Sequence, residues 1–213
     1  MNGNIASILS AAPVIPVLTI ARTADAVLLA RALAEGGLTV LEVTLRTEAA
    51  LDAISAIAKN VPQAIVGAGT VFAAADLRNA RDAGARFAVS PGLTEKLASE
   101  AARLPLLPGI ATASEIMQGR EFGFSHFKFF PAESSGGIAA LKSFAGPFAD
   151  VRFCPTGGIT ADTAPAYLAL KNVMCVGGSW MVPEAMIAAR DWSSIAKLAR
   201  DAAGLRSAQG GRI

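Results

Sequence analysis

The stretch His126-Phe127-Lys128-Phe129-Phe130-Pro131 has the length and aromatic composition of a β-strand, with one lysine between phenylalanines. Near-continuous apolar runs of this kind recur along the chain, as burial on both faces of a parallel sheet requires. The predicted strands cover residues 14–20, 40–45, 64–70, 87–91, 106–110, 126–130, 152–156 and 173–176. Between them lie alanine-rich segments predicted as helices, at 25–35, 48–59, 73–83, 94–103, 114–119, 137–144 and 161–170, with a last one at 193–202.

Eight strand–helix units within 213 residues are the number in a compact (β/α)₈ TIM barrel. A doubly wound open sheet fits the alternation nearly as well. However, the chain lacks the glycine fingerprint that follows the first strand of a Rossmann fold. We therefore predict an α/β protein, a (β/α)₈ TIM barrel forming one domain over residues 1–213. A short N-terminal helix is expected to close the barrel bottom, and residues 204–213 are expected to form a frayed tail.

Composition excludes several classes of function. The net charge is only +2 and no basic run is present, which argues against nucleic acid as a partner. No apolar run reaches membrane-spanning length, and Pro13 and Pro16 interrupt the first apolar segment, so neither a membrane partner nor a signal peptide is expected. One histidine and two cysteines leave little for a metal site, and we expect no cofactor. These features favour a cytoplasmic protein with reduced cysteines.

Lys128 is the residue with the clearest chemical implication. Burial disfavours the charged ammonium, and a free amine in a dry pocket is a nucleophile that forms a Schiff base with a carbonyl. Strand alternation puts Lys128 and Phe130 on the face that would line a barrel interior. Two structural alternatives are open, a lysine that reaches solvent from an edge strand and one paired with a core carboxylate.

The second and third predicted strands add polar groups near their carboxyl ends. Glu42, Thr44 and Arg46 alternate onto one face of the second strand. Burying three polar groups is costly unless they serve each other or a ligand, and a purely structural Glu42–Arg46 pair is the alternative. Small residues end the third strand, where Thr70 offers a hydroxyl at the rim.

Glycine pairs follow the last two predicted strands, at 157–158 and 177–178. Phosphate sites in these barrels are frequently built from the loops after strands seven and eight, with a short extra helix whose N-terminus points inward. Residues 180–188 are predicted to form that helix. Together the two pairs predict a phosphate site, although each alone would be an ordinary turn.

Seven motifs occur in an order that resembles one family, the class I 2-keto-3-deoxy-6-phosphogluconate (KDPG) and 2-keto-4-hydroxyglutarate (KHG) aldolases. They are LEVTLRT (41–47), IVGAGTV (65–71), SPGLT (90–94), PLLPGI (105–110), FKFFPAE (127–133), RFCPTGGI (152–159) and VGGSWMVP (176–183). The resemblance implies a Schiff-base enzyme of the Entner–Doudoroff pathway, an aldehyde-lyase that yields pyruvate and D-glyceraldehyde 3-phosphate. It also implies a homotrimer that needs no metal.

The resemblance further implies roles for individual residues. Lys128 matches the Schiff-base lysine, Glu42 the acid/base glutamate, and Arg46, with Thr70, the group that holds the pyruvate carboxylate. Pocket-wall positions and positions for the distal, phosphorylated part of the substrate are matched by Pro91, Phe130, Thr156, Gly157, Gly158, Gly178 and Ser179. One departure is Thr19, where some members carry a basic residue; Arg22 lies nearby in sequence.

Several alternatives share part of this pattern. KHG cleavage or oxaloacetate decarboxylation needs only Lys128, Glu42 and Arg46, and a 6-phosphogalactonate-specific homologue differs in stereochemistry alone. A metal-dependent phosphosugar epimerase would use the phosphate loops but lacks the expected histidine and acidic ligands. A non-catalytic barrel that binds a sugar phosphate would not need a buried amine beside a carboxylate.

Overall fold

A computed structural model describes residues 5–205, which form parallel strands alternating with helices. The strands are β1 (Val14–Leu18), β2 (Val40–Thr44), β3 (Ile65–Gly69), β4 (Ala88–Val89), β5 (Leu106–Leu107), β6 (Gly109–Ile110), β7 (His126–Phe129), β8 (Arg152–Pro155) and β9 (Val176–Gly178). The helices are α1 (Ile5–Leu9), α2 (Thr23–Glu35), α3 (Ala50–Asn60), α4 (Ala74–Asp82), α5 (Glu95–Glu100), α6 (Ala113–Glu121), α7 (Gly137–Phe144), α8 (Ala164–Leu168), α9 (Glu184–Ala188) and α10 (Trp192–Gly204).

The strands form two curled parallel sheets, with the orders β5-β4-β3-β2-β1-β9 and β6-β7-β8. The strand predicted over 106–110 is split at Pro108, because a proline has no N–H to continue a ladder. Across the other gap, isolated parallel bridges join Phe153 to Val173 and Thr156 to Gly177. The prediction of a TIM-barrel-like parallel α/β fold is confirmed, whereas the regular ladders do not form one closed eight-stranded ring.

Two predicted boundaries near the C-terminus are wrong. The sequence predicts the last strand at 173–176, but β9 is Val176–Gly178, and its glycines pair with β1 at Ile15 and Pro16. The extra helix predicted over 180–188 begins only at Glu184, after Pro183. A residue that precedes proline is disfavoured in the helical region, so the helix cannot extend back through residue 182. Of the tail predicted over 204–213, residues 206–213 lie outside the described part of the chain.

The interior between the strands is small and apolar at its amino end. Ile8 and Leu9 of α1 pack there with Ile15 and Val40, in a cluster that also includes Phe87, Val89, Leu107, Cys154 and Cys175. The predicted N-terminal helix therefore covers the bottom of the sheets. Both cysteines are buried, and neither is in a disulfide. The polar side chains of the next layer lie above this cluster, toward the carboxyl ends of the strands.

A second, larger core joins the outer face of the strands to the helices. Alanine, leucine and isoleucine side chains of α2, α3 and α10 are buried there, among them Leu29, Ile54 and Ile195. This amphipathic burial is what the alternating apolar runs predict. Within residues 5–205, no helix has the length and apolarity needed to cross a membrane.

Removing the Leu9 side chain tests the role of α1. Leu9 is fully buried, so Leu9→Ala is expected to lower the free energy of unfolding by about 2–5 kcal/mol. Leu28→Ala, at a position 42% exposed on α2, is the matched control and should change it by much less. Urea denaturation of both variants measures the difference, and equal losses would contradict a lid function for α1.

Candidate active site

Lys128 and Glu42 form a buried ion pair between strands β7 and β2. The Lys128 Nζ donates to Glu42 Oε1 over 3.2 Å, and the two side chains are 7% and 4% exposed. The lysine lies on the central strand of its sheet, between β6 and β8, so the alternative of an edge lysine reaching solvent is wrong. Glu42 pairs with Lys128, so a structural Glu42–Arg46 pair is wrong as well.

Glycines next to this pair make room for it. A Cβ at Gly69, in the strand neighbouring β2, would overlap the Glu42 carboxylate. Gly109, which lies beside Lys128 in the β6–β7 register, allows the Pro91 carbonyl to approach closely. Pro91, predicted as a pocket-wall residue, therefore lies against β6, the strand next to the one that carries Lys128. Gly109 is a site residue that the sequence signals only through its position in the PLLPGI motif.

Arg46 and Thr70 meet at the rim, beyond the buried pair. The Arg46 Nε donates to Thr70 Oγ1 over 3.2 Å, and Arg46 is exposed. Within residues 5–205 the Arg46 guanidinium has no carboxylate partner within ion-pair distance. Thr70 has a φ of 60°, in the left-handed region that a β-branched residue seldom adopts. Such backbone outliers occur at binding sites because the surrounding structure imposes them.

Phe130 and the loop after β8 form another wall. The Lys128 Nζ lies 5.0 Å from the centroid of the Phe130 ring, and Gly157 lies against that ring and Pro131. Thr156 is buried and its hydroxyl points toward Gly177, where a Cβ would overlap it. Gly157 and Gly158 both have positive φ, at 103° and 80°, so other residues would be strained there.

Ser179 lines a different part of this end of the molecule. A cavity of about 530 Å³ lies there, lined in part by apolar residues of β1, α2, α9 and the adjoining loops. Its polar and charged lining residues are Ser179, Thr19, Arg22, Asp25 and Glu184. Neither Lys128 nor Arg46 contributes to its lining. Gly178 was expected in a loop but lies in β9, with the Trp180 ring packed where its Cβ would be.

Arg22 and Asp25 were not identified as a unit from the sequence. The buried Asp25 carboxylate accepts from Arg22 Nε over 2.7 Å and from Arg190 Nε over 3.0 Å. Asp25 therefore holds the Arg22 guanidinium at the cavity near Thr19. The two arginines lie 168 positions apart in sequence, and no local pattern connects them.

The predicted residues thus form three adjoining groups at one end of the strands. Lys128 contacts both Glu42 and Phe130, and Arg46 is hydrogen-bonded to Thr70. The glycine loop after β8 lies against the Phe130 ring at Gly157. Among residues 5–205, no three histidine, cysteine, aspartate or glutamate side chains are grouped to hold a metal ion. The arrangement can present an amine to a carbonyl group, with a carboxylate in reach of the same atoms and a guanidinium at the entrance.

A buried lysine beside a carboxylate, at the carboxyl ends of parallel strands, is the arrangement typical of class I aldolases. Comparison with known proteins gives the family. The profile of the KDPG and KHG aldolase family matches residues 5–198. The chain belongs to this family, and its enzyme class is that of the aldehyde-lyases. The resemblance seen in the seven motifs is confirmed.

Individual relatives cover nearly all of the chain. The KHG/KDPG aldolase of Escherichia coli K12 is 56% identical over 198 residues, which are 92% of this chain and 93% of the relative. One solved structure is the KDPG aldolase of Legionella pneumophila with pyruvate captured at low pH as a covalent carbinolamine intermediate. It matches with a TM-score of 0.93 and 45% identity, over 95% of this chain and 100% of that chain. The KDPG aldolase of Zymomonas mobilis ZM4 with 3-phosphoglycerate matches with a TM-score of 0.92 and 50% identity, over 96% of this chain and 97% of that chain.

Substituting Gly69 tests whether the Glu42 carboxylate must occupy its present position. Gly69→Ala is expected to displace that carboxylate and lower kcat/KM for KDPG cleavage roughly 100-fold, the effect typical of a 1 Å misplacement. Gly204→Ala is the control, because nothing lies near its Cβ position. Circular dichroism checks that both variants are folded. A folded Gly69→Ala protein with wild-type kcat/KM would contradict the steric argument.

Proposed function

We propose that the chain cleaves KDPG to pyruvate and D-glyceraldehyde 3-phosphate through a Schiff base on Lys128. The observation that carries the proposal is the buried contact of 3.2 Å between Lys128 Nζ and Glu42 Oε1 in a member of this aldolase family. The Legionella relative, with its covalent pyruvate carbinolamine, supports the same chemistry for this chain. The Lys128 amine attacks C2 of the substrate, and the former ketone oxygen leaves as water, which gives an iminium.

Glu42 is proposed to move protons in both later steps. Its carboxylate accepts the proton of the C4 hydroxyl while the C3–C4 bond breaks, and the bonding electrons pass into the iminium to form an enamine. Glyceraldehyde 3-phosphate leaves as the aldehyde. The Glu42 carboxyl then returns the proton to C3, and water hydrolyses the new iminium to pyruvate and free Lys128. One carboxyl group can serve both steps because they are sequential. Its position beside Nζ also lets it accept the ammonium proton before the attack and return that proton to the former ketone oxygen as this leaves as water, so that Glu42 is a carboxylate again when the C4 hydroxyl is deprotonated.

Arg46 is proposed to bind the carboxylate of the substrate. The guanidinium is exposed at the rim and bonded through Nε to Thr70, which fixes its orientation and leaves the terminal nitrogens for a two-point contact. Such a contact orients the C2 ketone toward Lys128. Pro91 and Phe130 are proposed as the pocket wall next to the amine.

The distal, phosphorylated part of the substrate is proposed to extend to Thr156, Gly157, Gly158, Gly178 and Ser179. The Zymomonas relative with 3-phosphoglycerate supports a phosphorylated ligand. Arg22, held by Asp25 on the cavity that Ser179 and Thr19 line, is proposed to supply the positive charge that Thr19 does not.

KHG cleavage is a second proposed activity. The Escherichia coli relative carries both substrates in its name, and none of Lys128, Glu42 and Arg46 lines the cavity at Ser179. A substrate without phosphate can therefore use the same amine, carboxylate and guanidinium. Comparison of kcat/KM for KDPG and for KHG measures how much the residues proposed for the phosphorylated end contribute to catalytic efficiency.

Three further properties belong to the proposal. The two sheets are proposed to close as one (β/α)₈ barrel over the single domain, supported by the two bridges beside β8 and by the chain's passage from β5 to β6 through Pro108 alone.

A homotrimer is proposed from the family resemblance, and the exposed Phe72 and Met117 are apolar surface that assembly could cover. A cytoplasmic location is proposed as well, and it agrees with two buried cysteines that are not joined in a disulfide.

Trapping with borohydride tests the central step. Incubation of the wild-type protein with pyruvate and borohydride should reduce the iminium to a stable adduct on Lys128, located by mass spectrometry of peptides. Lys128→Arg cannot form an iminium, and both the adduct and KDPG cleavage should disappear. Lys142→Arg, at an exposed position of α7, serves as the control. Cleavage of KDPG by purified Lys128→Arg protein would contradict the assignment of Lys128 as the Schiff-base residue.

Arg46→Lys tests the carboxylate contact. A lysine keeps the charge but cannot make the planar two-point contact, so kcat/KM is expected to fall roughly 10- to 100-fold. Arg200→Lys, on the exposed face of α10, is the control and should behave as wild type. Steady-state kinetics on KDPG give the comparison. Wild-type kinetics in Arg46→Lys would show that the guanidinium geometry has no part in binding.

A further inference from the structure

The loop that follows Lys128 lies directly on the glycine loop that follows β8. Ala132 N donates to the Thr156 carbonyl over 2.8 Å, and Glu133 N donates to the Gly157 carbonyl over 3.1 Å. These are backbone contacts between the loop that follows the Lys128 strand and the loop that contains Gly157 and Gly158. The position of Gly157 and Gly158 therefore depends on how the segment from Ala132 to Gly137 is held.

The side chain of Glu133 extends this contact to Gly158. Gly158 has a φ of 80°, and a Cβ there would lie 2.7 Å from the Glu133 Cγ, so the glycine backbone packs on the glutamate stem. A residue larger than glycine at position 158 would overlap the Glu133 side chain. Glu133 is otherwise exposed, and an exposed glutamate ordinarily samples several rotamers.

Tyr167 of α8 removes that freedom. Its ring is only 1% exposed, and its hydroxyl donates to Glu133 Oε1 over 2.7 Å. Gly137, with a φ of 54°, leaves space for the hydroxyl, because a Cβ there would approach the oxygen to 3.0 Å. Burial, the hydrogen bond to Glu133 and the charge of Glu133 all raise the pKa of Tyr167. The tyrosine is therefore a permanent donor at neutral pH.

The hydrogen bond to Tyr167 also holds the Glu133 carboxylate on the side of its loop that faces α8. Glu133 and Tyr167 line an open pocket with Asp162 and Thr163, and neither Gly157 nor Gly158 contributes to that lining. A carboxylate free to turn toward a phosphate would repel it. The hydrogen bond to Tyr167 therefore has two effects, since it fixes the stem against Gly158 and restrains the negative charge.

We propose that Glu133 and Tyr167 are a positioning pair that fixes the Gly157–Gly158 loop and so sets the affinity for the phosphorylated end of the substrate. This inference rests on the proposed function. Neither residue touches the reacting atoms, and Lys128, Glu42 and Arg46 have no contact with the pair's hydrogen bond. The pair should therefore affect binding of the distal group and leave iminium formation unchanged.

Tyr167→Phe is the test, because it removes only the hydroxyl. The KM for KDPG is expected to rise about 5- to 10-fold, as for the loss of one hydrogen bond, with kcat nearly unchanged. The pyruvate concentration that gives half-maximal borohydride trapping on Lys128 should stay at the wild-type value. Glu133→Ala should reproduce the rise in KM, whereas Glu133→Gln, which keeps an oxygen acceptor, should restore most of the affinity. The double variant Glu133→Ala/Tyr167→Phe should be no worse than either single change.

A merely structural role predicts a different pattern. Ile54→Val, a mild change in the helix-side core, is the control for lost stability and should leave the KM for KDPG unchanged. An unchanged KM in Tyr167→Phe, or an equal rise in the pyruvate requirement, would overturn the positioning pair. These outcomes differ from failure of the proposed function, in which the wild-type protein itself forms no pyruvate adduct on Lys128.

Discussion

The contact between Lys128 and Glu42 is the constraint around which the interior is arranged. Removing two charges from water costs several kcal/mol for each, and their attraction offsets this only where the geometry is good. The protein meets that requirement with two rigid strands that hold the groups 3.2 Å apart, although 86 residues separate them in sequence. Because either partner alone would be a buried unpaired charge, the strands, their glycines and the apolar bottom of the sheets all serve to keep this distance.

Glycines in the strands leave the space that these polar groups occupy. Gly69 gives space to a carboxylate, Gly109 to the Pro91 carbonyl, and Gly177 to the Thr156 hydroxyl. In each case the absent Cβ lets a polar group of a neighbouring segment approach the strand closely. The polar chemistry thus lies on the β-sheet itself, which is more rigid than a loop, while the groups for the distal substrate lie on loops whose position needs support from elsewhere.

Much of this arrangement is predictable from sequence because it depends on local rules. Alternation along a strand put Glu42 and Arg46 on one face, and the flanking phenylalanines indicated that Lys128 is buried. The interaction of Asp25 with Arg190 could not be predicted, because it joins the first turn of α2 to the segment before α10 and has no sequence period. The position of β9 was missed for a different reason. Glycines have a low strand propensity, yet Gly177 and Gly178 pair with β1 because small residues are needed there.

The pairing of β1 with β9 has a consequence for how the molecule is made. On the ribosome the N-terminal strand emerges first, but its neighbour on one side is translated about 160 residues later, or roughly 10 s or more at typical elongation speeds. Until then one edge of β1 has no partner, and the apolar residues of α1 lack part of their final enclosure. Nascent chains would thus be exposed to non-native strand addition throughout most of synthesis, a hazard that chaperones at the exit tunnel normally limit.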